Sequence, residues 1–275
     1  MTSQPKHSTF DALIAEPNLA LAMQIASGTG KLLLDRPDDL GVTTKSTATD
    51  VVTLMDQAAE AFIVSELGKH RPNDAILGEE GANQVGTSGL QWVIDPIDGT
   101  KNFLRGVPTW ATLIGLIEKQ SDGSEVVVVG VVSAPALFRR WYASEGSGAF
   151  VMVNKSAPKK ISVSQVSEIK DASISYSDFI GWGERLAPFQ DLLASAWRTR
   201  GIGDFWSHML VAEGAVDVAA EPSLAIWDMA ALDIIVREAG GRFTSVAGVN
   251  GSLGGSGLST NSAIHEKIVG KLNGR

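Results

Sequence analysis

A short apolar run that ends in an acidic turn is the feature that most constrains how this chain folds. The segment reads Trp92-Val93-Ile94-Asp95-Pro96-Ile97-Asp98-Gly99-Thr100. The apolar residues predict a core strand, and Pro96 predicts its end, because proline has no N–H for a sheet ladder. Gly99 gives the backbone the freedom that a tight turn needs. The sequence therefore predicts two carboxylates, Asp95 and Asp98, at the edge of a buried sheet.

The residues after this turn predict an anion site. Thr100-Lys101-Asn102-Phe103 opens a predicted helix with Thr100 near its N-terminus. Free backbone N–H groups at a helix start suit a phosphate. Carboxylates beside such a helix start are what a metal-bridged phosphate requires. An Asp-rich turn that only accepts bonds from backbone N–H groups is the alternative for the segment taken alone.

Three further acidic features lie elsewhere in the chain. Glu79-Glu80 follows a predicted strand, Asp228 follows an apolar run at the head of a predicted helix, and Asp56 lies within another predicted helix. A solvated loop, a helix N-cap and a surface acid are the respective alternatives. Two carboxylates about 4 Å apart repel by roughly 4 kcal/mol at an effective dielectric of about 20. A pocket that contains Glu79, Asp95, Asp98 and Asp228 would therefore be untenable without cations or protons.

Composition narrows the choice of cation, partner and compartment. The absence of cysteine excludes disulfides, thiolate metal sites and a cysteine nucleophile. Oxygen ligands without a close histidine pair favour magnesium or manganese over zinc. The net charge of -8 argues against nucleic-acid binding. No apolar run is long enough to span a membrane, and residues 1–10 lack the apolar core of a signal peptide, so we expect a cytoplasmic protein.

The remaining pattern predicts a mixed α/β (α+β) protein of two halves. Predicted helices cover about 10–34, 50–69, 184–196, 205–214 and 228–239. Predicted strands cover about 74–77, 91–94, 109–118, 125–134, 138–143, 173–176 and 216–220. Gly146-Ser147-Gly148 predicts the joint between an N-terminal half, 1–147, and a C-terminal half, 148–275. The glycine-rich stretch 251–257 predicts a surface loop.

These motifs, taken in order, resemble those of the inositol monophosphatase family. The matching residues are Glu79-Glu80, Asp95 to Thr100, Trp227-Asp228 and Gly240-Gly241, with an upstream segment at Lys45, Asp50 and Asp56. The resemblance covers about 45–261. It implies an α/β/α/β/α layered sandwich with the site between its two halves, a homodimer, and a magnesium-dependent phosphomonoesterase.

The resemblance also implies which residues bind the metal ions. Glu79, Asp95 and the carbonyl of Ile97 would hold one magnesium ion. Asp95, Asp98 and Asp228 would hold a second, beside the ester oxygen. About two or three ions would bind in all, and Mn²⁺ would substitute for Mg²⁺.

The remaining implied roles concern water and phosphate. Thr100, oriented by Asp56, would work with Glu79 to position and deprotonate the attacking water. The backbone amides of Gly99 and Thr100 would bind the phosphate, and Asp228 would also contact the substrate.

Within the family the chain is most similar to the histidinol-phosphate phosphatases. The similarity rests on Asp95 to Pro108, Ser133-Ala134-Pro135-Ala136-Leu137, Arg139-Arg140-Trp141 and Gly203-Asp204-Phe205-Trp206. Asp204 and Glu221 would pair with the substrate's cationic groups, and Phe205 or Trp206 would cover its imidazole ring. The alternative is that Asp204 caps a helix and the aromatic residues are core.

Three functions stay open at this point. The first is hydrolysis of L-histidinol phosphate in histidine biosynthesis, and the second is an inositol-1-monophosphatase or a broad-specificity sugar-phosphate phosphatase. Glu221 does not separate these two, because a glutamate also binds hydroxyl groups. The third is a catalytically silent regulator, which would lack a metal carboxylate or Thr100. His208 is predicted to be a packed or surface residue, and Arg105, Arg139 and Arg140 to be structural or rim residues.

Overall fold

The computed structural model describes residues 16–37, 39–44, 51–154 and 156–275. The predicted features at residues 1–10, the start of the first predicted helix, Lys45 and Asp50 lie outside these ranges. Within them, no helix is both long enough and apolar enough to cross a membrane.

Except for the last helix, which the sequence analysis did not predict, the helices lie where the sequence predicts them, with ends that differ by a few residues. They are α1 Pro17–Leu34, α2 Leu54–His70, α3 Thr100–Leu104, α4 Leu186–Ser195, α5 Asp204–Ala212, α6 Ile226–Glu238 and α7 His265–Leu272. The second helix begins at Leu54, not at about residue 50 as predicted, because Thr53 caps it. Val51–Val52 forms a short strand instead.

The first large sheet is almost entirely antiparallel. Its strands are β3 Ala75–Gly78, β4 Asn83–Gln84, β5 Leu90–Asp98, β6 Ala111–Lys119, β7 Glu125–Ala134, β8 Arg139–Ser144, β9 Gly148–Val153 and β10 Lys159–Ile161. The strand order is β10-β9-β8-β7-β6-β5-β3-β4, and only the β3–β5 pair among these described strands is parallel. Upstream, β1 Thr43–Thr44 and β2 Val51–Val52 form a separate antiparallel pair.

The second sheet is mixed. Its strands are β11 Ser173–Tyr176, β12 Arg198–Gly201, β13 Val218–Glu221, β14 Arg242–Thr244 and β15 Gly257–Thr260, in the order β12-β11-β13-β15-β14. The sequence analysis did not predict β12, β14 or β15, nor β4, β9 and β10 of the first sheet. The predicted loop 251–257 is partly wrong, because Gly257 begins β15 and Ser252 and Ser256 are buried.

Five layers result from the way the helices cover these sheets. Helices α1 and α2 cover one face of the first sheet, where Ile25 and Ile63 join the core around Trp92. Helices α5 and α6 lie between the two sheets. Helices α4 and α7 cover the outer face of the second sheet. The predicted α/β/α/β/α sandwich is therefore confirmed.

Close packing of α6 on the first sheet depends on one glycine in particular. A Cβ at Gly130 of β7 would lie 2.5 Å from Ile234 Cγ2 and 2.7 Å from the Ala231 carbonyl oxygen. These separations are shorter than van der Waals contact, so a side chain there would push the helix away. This contact helps to set the height of α6, the helix that carries Asp228, above the first sheet.

The predicted boundary after Ser147 falls within the first sheet. Gly146, Ser147 and Gly148 connect β8 to β9, which pair as an antiparallel hairpin. Residues 148–161 continue the same sheet, and the second sheet begins only at Ser173. The division of the chain into two halves stays a prediction.

Candidate active site

The acidic turn lies at the end of β5, in a β-bulge. The strand continues through Pro96 to Asp98, so the prediction that Pro96 ends it is wrong. The paired positions jump from Asp95 and Leu113 to Asp98 and Ala111, which leaves Pro96 unpaired and removes the need for its N–H. The N–H of Ile97 donates to Asp95 Oδ1 at 2.9 Å and fixes the bulge.

Three aspartates from β5 and α6 meet at this bulge. Ligand oxygens of Asp95, Asp98 and Asp228 lie within 4.8 Å of one another. Asp228 is the third residue of α6, and its Oδ2 accepts the Ala225 N–H at 2.7 Å. The carboxylate therefore caps the helix and also belongs to the cluster. A capping role for Asp228 does not exclude a role in metal binding.

The surroundings of these carboxylates disfavour their ionisation. Burial raises the pKa of Asp95 well above its ordinary value, and Glu79, Asp98 and Asp228 raise it further by repulsion. Burial, followed by repulsion from Asp204 and Asp228, also raises the pKa of Asp98. A divalent cation would relieve this repulsion. Because the donors are carboxylate oxygens, the cluster suits a hard cation such as magnesium or manganese.

Glu79 reaches the cluster from the loop after β3. Its N–H donates to the Ile94 carbonyl at 3.1 Å, and its side chain contributes a hydrogen bond and repulsion that both raise the pKa of Asp95. The structure thus brings Glu79, Asp95, Asp98 and Asp228 together, as the sequence predicted.

A buried glutamate that the sequence analysis missed holds this loop. Glu60 of α2 accepts the N–H groups of Glu80 and Ala82, each at 2.8 Å. A Cβ at Gly78 would lie only 2.1 Å from Glu60 Oε2, so glycine is required at that position. The spacing in the sequence could have indicated this residue. Glu60 lies four residues after Asp56 and therefore on the same face of the helix.

Asp56 is a buried residue of the site and not a surface acid. The N–H and hydroxyl of Thr53 donate to Asp56 Oδ2 at 2.7 Å and 2.6 Å. Thr100 Oγ1 lies 3.2 Å from Asp56 Oδ1 and 2.9 Å from the Ile97 carbonyl oxygen. The threonine hydroxyl has one proton and donates to one of these acceptors at a time. Burial is the largest cause that raises the pKa of Asp56.

Gly99 allows α3 to begin directly beside the acidic turn. It adopts φ 84°, and a Cβ there would lie 2.8 Å from the Thr109 carbonyl oxygen. The Phe103 N–H donates to the Gly99 carbonyl at 3.0 Å and closes the first helical turn. The N–H groups of the first helical residues, Thr100 among them, have no partner inside the helix.

Asp204 lies on the other side of Asp98. Gly203 is the N-cap residue of α5, so the alternative that Asp204 caps the helix is wrong. Asp204 instead adopts φ 52°, and Asn102 Nδ2 donates to its Oδ2 at 3.0 Å. Burial is the largest cause that raises the pKa of Asp204 to about 6. The sequence analysis gave no role to Asn102, since only the fold brings it to Asp204.

Glu221 ends β13 on the same side of the cluster. Its Oε1 accepts the hydroxyl of Ser177, and this hydroxyl oxygen also accepts the Asp204 N–H at 3.3 Å. Burial raises the pKa of Glu221 to about 8. Ser177 therefore fixes two predicted substrate-binding residues, a role that its isolated position in the sequence did not suggest.

A cavity of about 40 Å³ separates these two acids from the aspartate cluster. Its polar lining includes Asp98, Asp204, Glu221 and Asp228. Larger surface grooves of about 380 Å³ and 280 Å³ lie elsewhere and include none of these residues.

The remaining predicted residues have packing roles. Phe205 is buried with its ring centroid 6.0 Å from that of Trp141, and Trp206 packs against the same core. Arg139 Nη1 pairs with Glu213 Oε1 at 2.7 Å, and Arg140 Nη1 donates to Ser27 Oγ of α1 at 2.8 Å.

The chain is similar in sequence and fold to known proteins. The model of the inositol monophosphatase family matches residues 15–274. A histidinol-phosphatase of Mycobacterium tuberculosis is 49% identical over 267 residues, covering 94% of this chain and 99% of that protein. A histidinol-phosphatase of Streptomyces coelicolor is 48% identical and covers 94% and 97%. The solved structure of an IMPase from Thermotoga maritima superposes with a TM-score of 0.80 at 30% identity, covering 94% and 97%.

Proposed function

The chain belongs to the inositol monophosphatase family, and we propose that it hydrolyses L-histidinol phosphate to L-histidinol and phosphate with the help of magnesium. The observation that carries the proposal is the arrangement of four aspartates and one threonine. The carboxylates of Asp95, Asp98 and Asp228 converge beside the Asp56–Thr100 pair. A phosphatase needs a cation site next to a group that orients water, and this arrangement provides candidates for both.

We assign two overlapping sets of metal ligands. The first is Glu79, Asp95 and the carbonyl of Ile97, and the second is Asp95, Asp98 and Asp228. The raised pKa values of Asp95 and Asp98 support both sets, because a cation would stabilise their ionised forms. When bound, magnesium or manganese would activate water and stabilise the leaving alkoxide. About two or three ions are expected, as two-metal hydrolases need at least a pair.

Thr100, Asp56 and Glu79 would handle the water and its proton. Asp56 is held by Thr53, so its Oδ1 stays available to the Thr100 hydroxyl. A hydroxyl that donates to Asp56 keeps its lone pairs free to accept a hydrogen bond from water. Glu79 would act as the general base that takes the other proton of this water molecule, the one that is not hydrogen-bonded to Thr100. The amides of Gly99 and Thr100 would hold the phosphate during attack.

Asp204 and Glu221 would bind the organic part of the substrate. Histidinol phosphate carries an ammonium group and an imidazole ring, both of which pair well with carboxylates. The two curated relatives at 48% and 49% identity, both histidinol-phosphatases, support this substrate. The Thermotoga IMPase, at 30% identity, supports inositol monophosphate as the second candidate. A silent regulator is not favoured, since every predicted metal ligand and Thr100 are present.

A substrate panel tests the proposal. Phosphate release is measured from histidinol phosphate, inositol 1-phosphate and a sugar phosphate, first with Mg²⁺ and then with a chelator. We expect the highest kcat/KM with histidinol phosphate, loss of activity in chelator, and recovery when Mg²⁺ or Mn²⁺ is restored. Equal or faster turnover of inositol 1-phosphate would overturn the substrate assignment. Full activity in chelator would overturn the metal assignment. The homodimer and the cytoplasmic location stay predictions.

A further inference from the structure

His208 is a buried residue of α5 whose two ring nitrogens have different surroundings. Its side chain is only 1% exposed, and its Nδ1 lies 2.7 Å from Ser259 Oγ of β15. Its Nε2 is buried without a hydrogen-bond partner among the residues that the structure describes. Buried polar atoms in native proteins are nearly always paired. The unpaired Nε2 therefore indicates a partner that the described part of the chain does not supply.

His208 lines the same 40 Å³ cavity as Asp98, Ser177, Glu221 and Asp228. On this measure a cavity needs at least about 10–15 Å³ to hold one water molecule, so the space holds a group the size of a few water molecules. The cavity therefore suits one small polar group of a ligand.

The lining of the cavity offers several hydrogen-bond acceptors. Asp98, Asp204, Asp228 and Glu221 contribute carboxylate oxygens. The hydroxyl proton of Ser177 is already directed at Glu221. Burial lowers the pKa of His208 to about 4, so its ring is neutral near pH 7 and has one nitrogen free to accept. A primary ammonium group has three N–H donors, no acceptor and a positive charge. It complements this lining better than a hydroxyl group, which must also accept.

We propose that this cavity binds the primary ammonium group of the substrate, and that Nε2 of His208 accepts one of its three N–H bonds. His208 is then a specificity-determining residue for amino-alcohol phosphates. The inference rests on the proposed function, because it assumes a substrate of that class. It also requires the tautomer in which Nδ1–H donates to Ser259 Oγ and Nε2 accepts, and the Ser259 hydroxyl oxygen is able to accept that bond.

The position of the cavity agrees with the connectivity of such a substrate. In histidinol phosphate the carbon that bears the amino group is bonded directly to the carbon that bears the ester oxygen. An ammonium group must therefore lie close to the phosphate, and the cavity shares Asp98 and Asp228 with the metal cluster. The imidazole ring is attached one carbon further along, on the side away from the ester oxygen.

The test compares two phosphate esters that differ only in the amino group. These are histidinol phosphate and its deamino analogue, 3-(imidazol-4-yl)propyl phosphate. His208→Asn keeps a polar atom near the Nδ1 position but removes Nε2, whereas His208→Gln places an amide oxygen near the Nε2 position. We expect His208→Asn to lower the ratio of kcat/KM for the amino ester to that for the deamino ester by about tenfold or more, chiefly through KM. His208→Gln should restore part of the ratio.

His265→Asn is the matched control. His265 is also buried, but it contacts Thr260 and Thr244 and does not line the cavity. Its replacement should leave the ratio for the two esters at the wild-type value. Thermal unfolding of each variant establishes that it is folded.

Two outcomes overturn the inference. One is an equal loss of kcat/KM on both esters in His208→Asn, which indicates a structural role. The other is a wild-type ratio in that variant. Failure of the proposed function itself looks different, because the wild-type protein then prefers inositol 1-phosphate to histidinol phosphate. If the wild-type protein hydrolyses histidinol phosphate and the ratio is insensitive to His208, only the cavity assignment is wrong.

Discussion

The N–H of Phe205 donates to Asp98 Oδ2 at 2.6 Å, which joins two residues 107 positions apart in the chain. This bond ties the acidic bulge at the end of β5 to the start of α5. The neighbouring residue Asp204 adopts a left-handed backbone conformation at the same place. Strained backbone of this kind persists only where the surrounding structure holds it. The metal cluster and the candidate substrate pocket are therefore built on one shared contact.

Asp95→Asn should abolish measurable turnover without unfolding the protein. Asp95 belongs to both proposed sets of metal ligands, and an amide is a poorer ligand for a hard cation than a carboxylate. The substitution also removes a negative charge from a crowded buried cluster. We therefore expect the thermal midpoint in chelator to be equal to or above that of the wild type. Phosphate release and thermal unfolding check both parts, with Asp122→Asn in an exposed turn as control. A fully active Asp95→Asn protein would contradict the mechanism.

Thr100→Val should lower kcat by about 10²- to 10⁴-fold, the range for loss of a group that assists proton transfer. Valine has nearly the same shape as threonine but lacks the hydroxyl that lies 3.2 Å from Asp56 Oδ1. Thr100→Ser keeps the hydroxyl and should retain most of the activity, while KM changes little in either variant. Steady-state kinetics at saturating Mg²⁺ distinguishes them. Equal rates for the valine and serine variants would show that the hydroxyl has no role.

Glu60→Gln should weaken metal binding although Glu60 is not a proposed ligand. The two carboxylate oxygens of Glu60 accept the N–H groups of Glu80 and Ala82. A glutamine amide has only one oxygen, so it can replace only one of these acceptors. We expect a loss of about 1–3 kcal/mol in the free energy of unfolding. The Mg²⁺ concentration for half-maximal activity should rise, because the loop that carries Glu79 is less well held. Glu66→Gln is the control, since Glu66 pairs with Lys69 on the helix surface. A normal Mg²⁺ dependence in Glu60→Gln contradicts this role.

Glu221 should make the metal-free protein less stable as the pH rises. Burial raises its pKa from 4.5 to about 8, so between these values the folded protein keeps a proton that the unfolded chain releases. The free energy of unfolding then falls with rising pH, by up to about 1.4 kcal/mol per unit. The contribution is fully present below the lower pKa and is lost above the upper one.

Urea unfolding in chelator, repeated between about pH 5 and pH 8, measures this slope. Glu221→Gln removes the titrating group and should give a shallower fall in stability over this range. Glu184→Gln, at an exposed position, should keep the wild-type slope. A Glu221→Gln protein that loses stability with pH as steeply as the wild type would show that Glu221 does not titrate there.

Local sequence patterns were sufficient to predict the acidic turn at the centre of the site. The run from Trp92 to Thr100 predicted a strand that delivers two carboxylates, because burial and turn chemistry are encoded within a few residues. Periodic apolar residues likewise predicted the helices other than α7, and the strands β3, β5 to β8, β11 and β13. Asp228 and Glu79 could be assigned to the same pocket only through the resemblance, since nothing local relates them to Asp95.

Features that depend on tertiary contacts were missed or mispredicted. Pro96 does not end β5, because a register shift against β6 makes its missing N–H harmless. Strands β14 and β15 are short and flank a glycine-rich stretch, so they are recognisable only once they pair with each other. Glu60 and His208 are isolated polar residues in helices. Their roles come from a loop and a cavity that the sequence does not show.

The most direct test of the account is an anomalous difference map from crystals grown with Mn²⁺. We predict at least one strong peak bounded by the carboxylates of Asp95, Asp98 and Asp228, with metal–oxygen distances of about 2.0–2.3 Å. The absence of any peak among these three side chains, in crystals of protein that is active with Mn²⁺, would contradict the claim that converging buried carboxylates form the metal site.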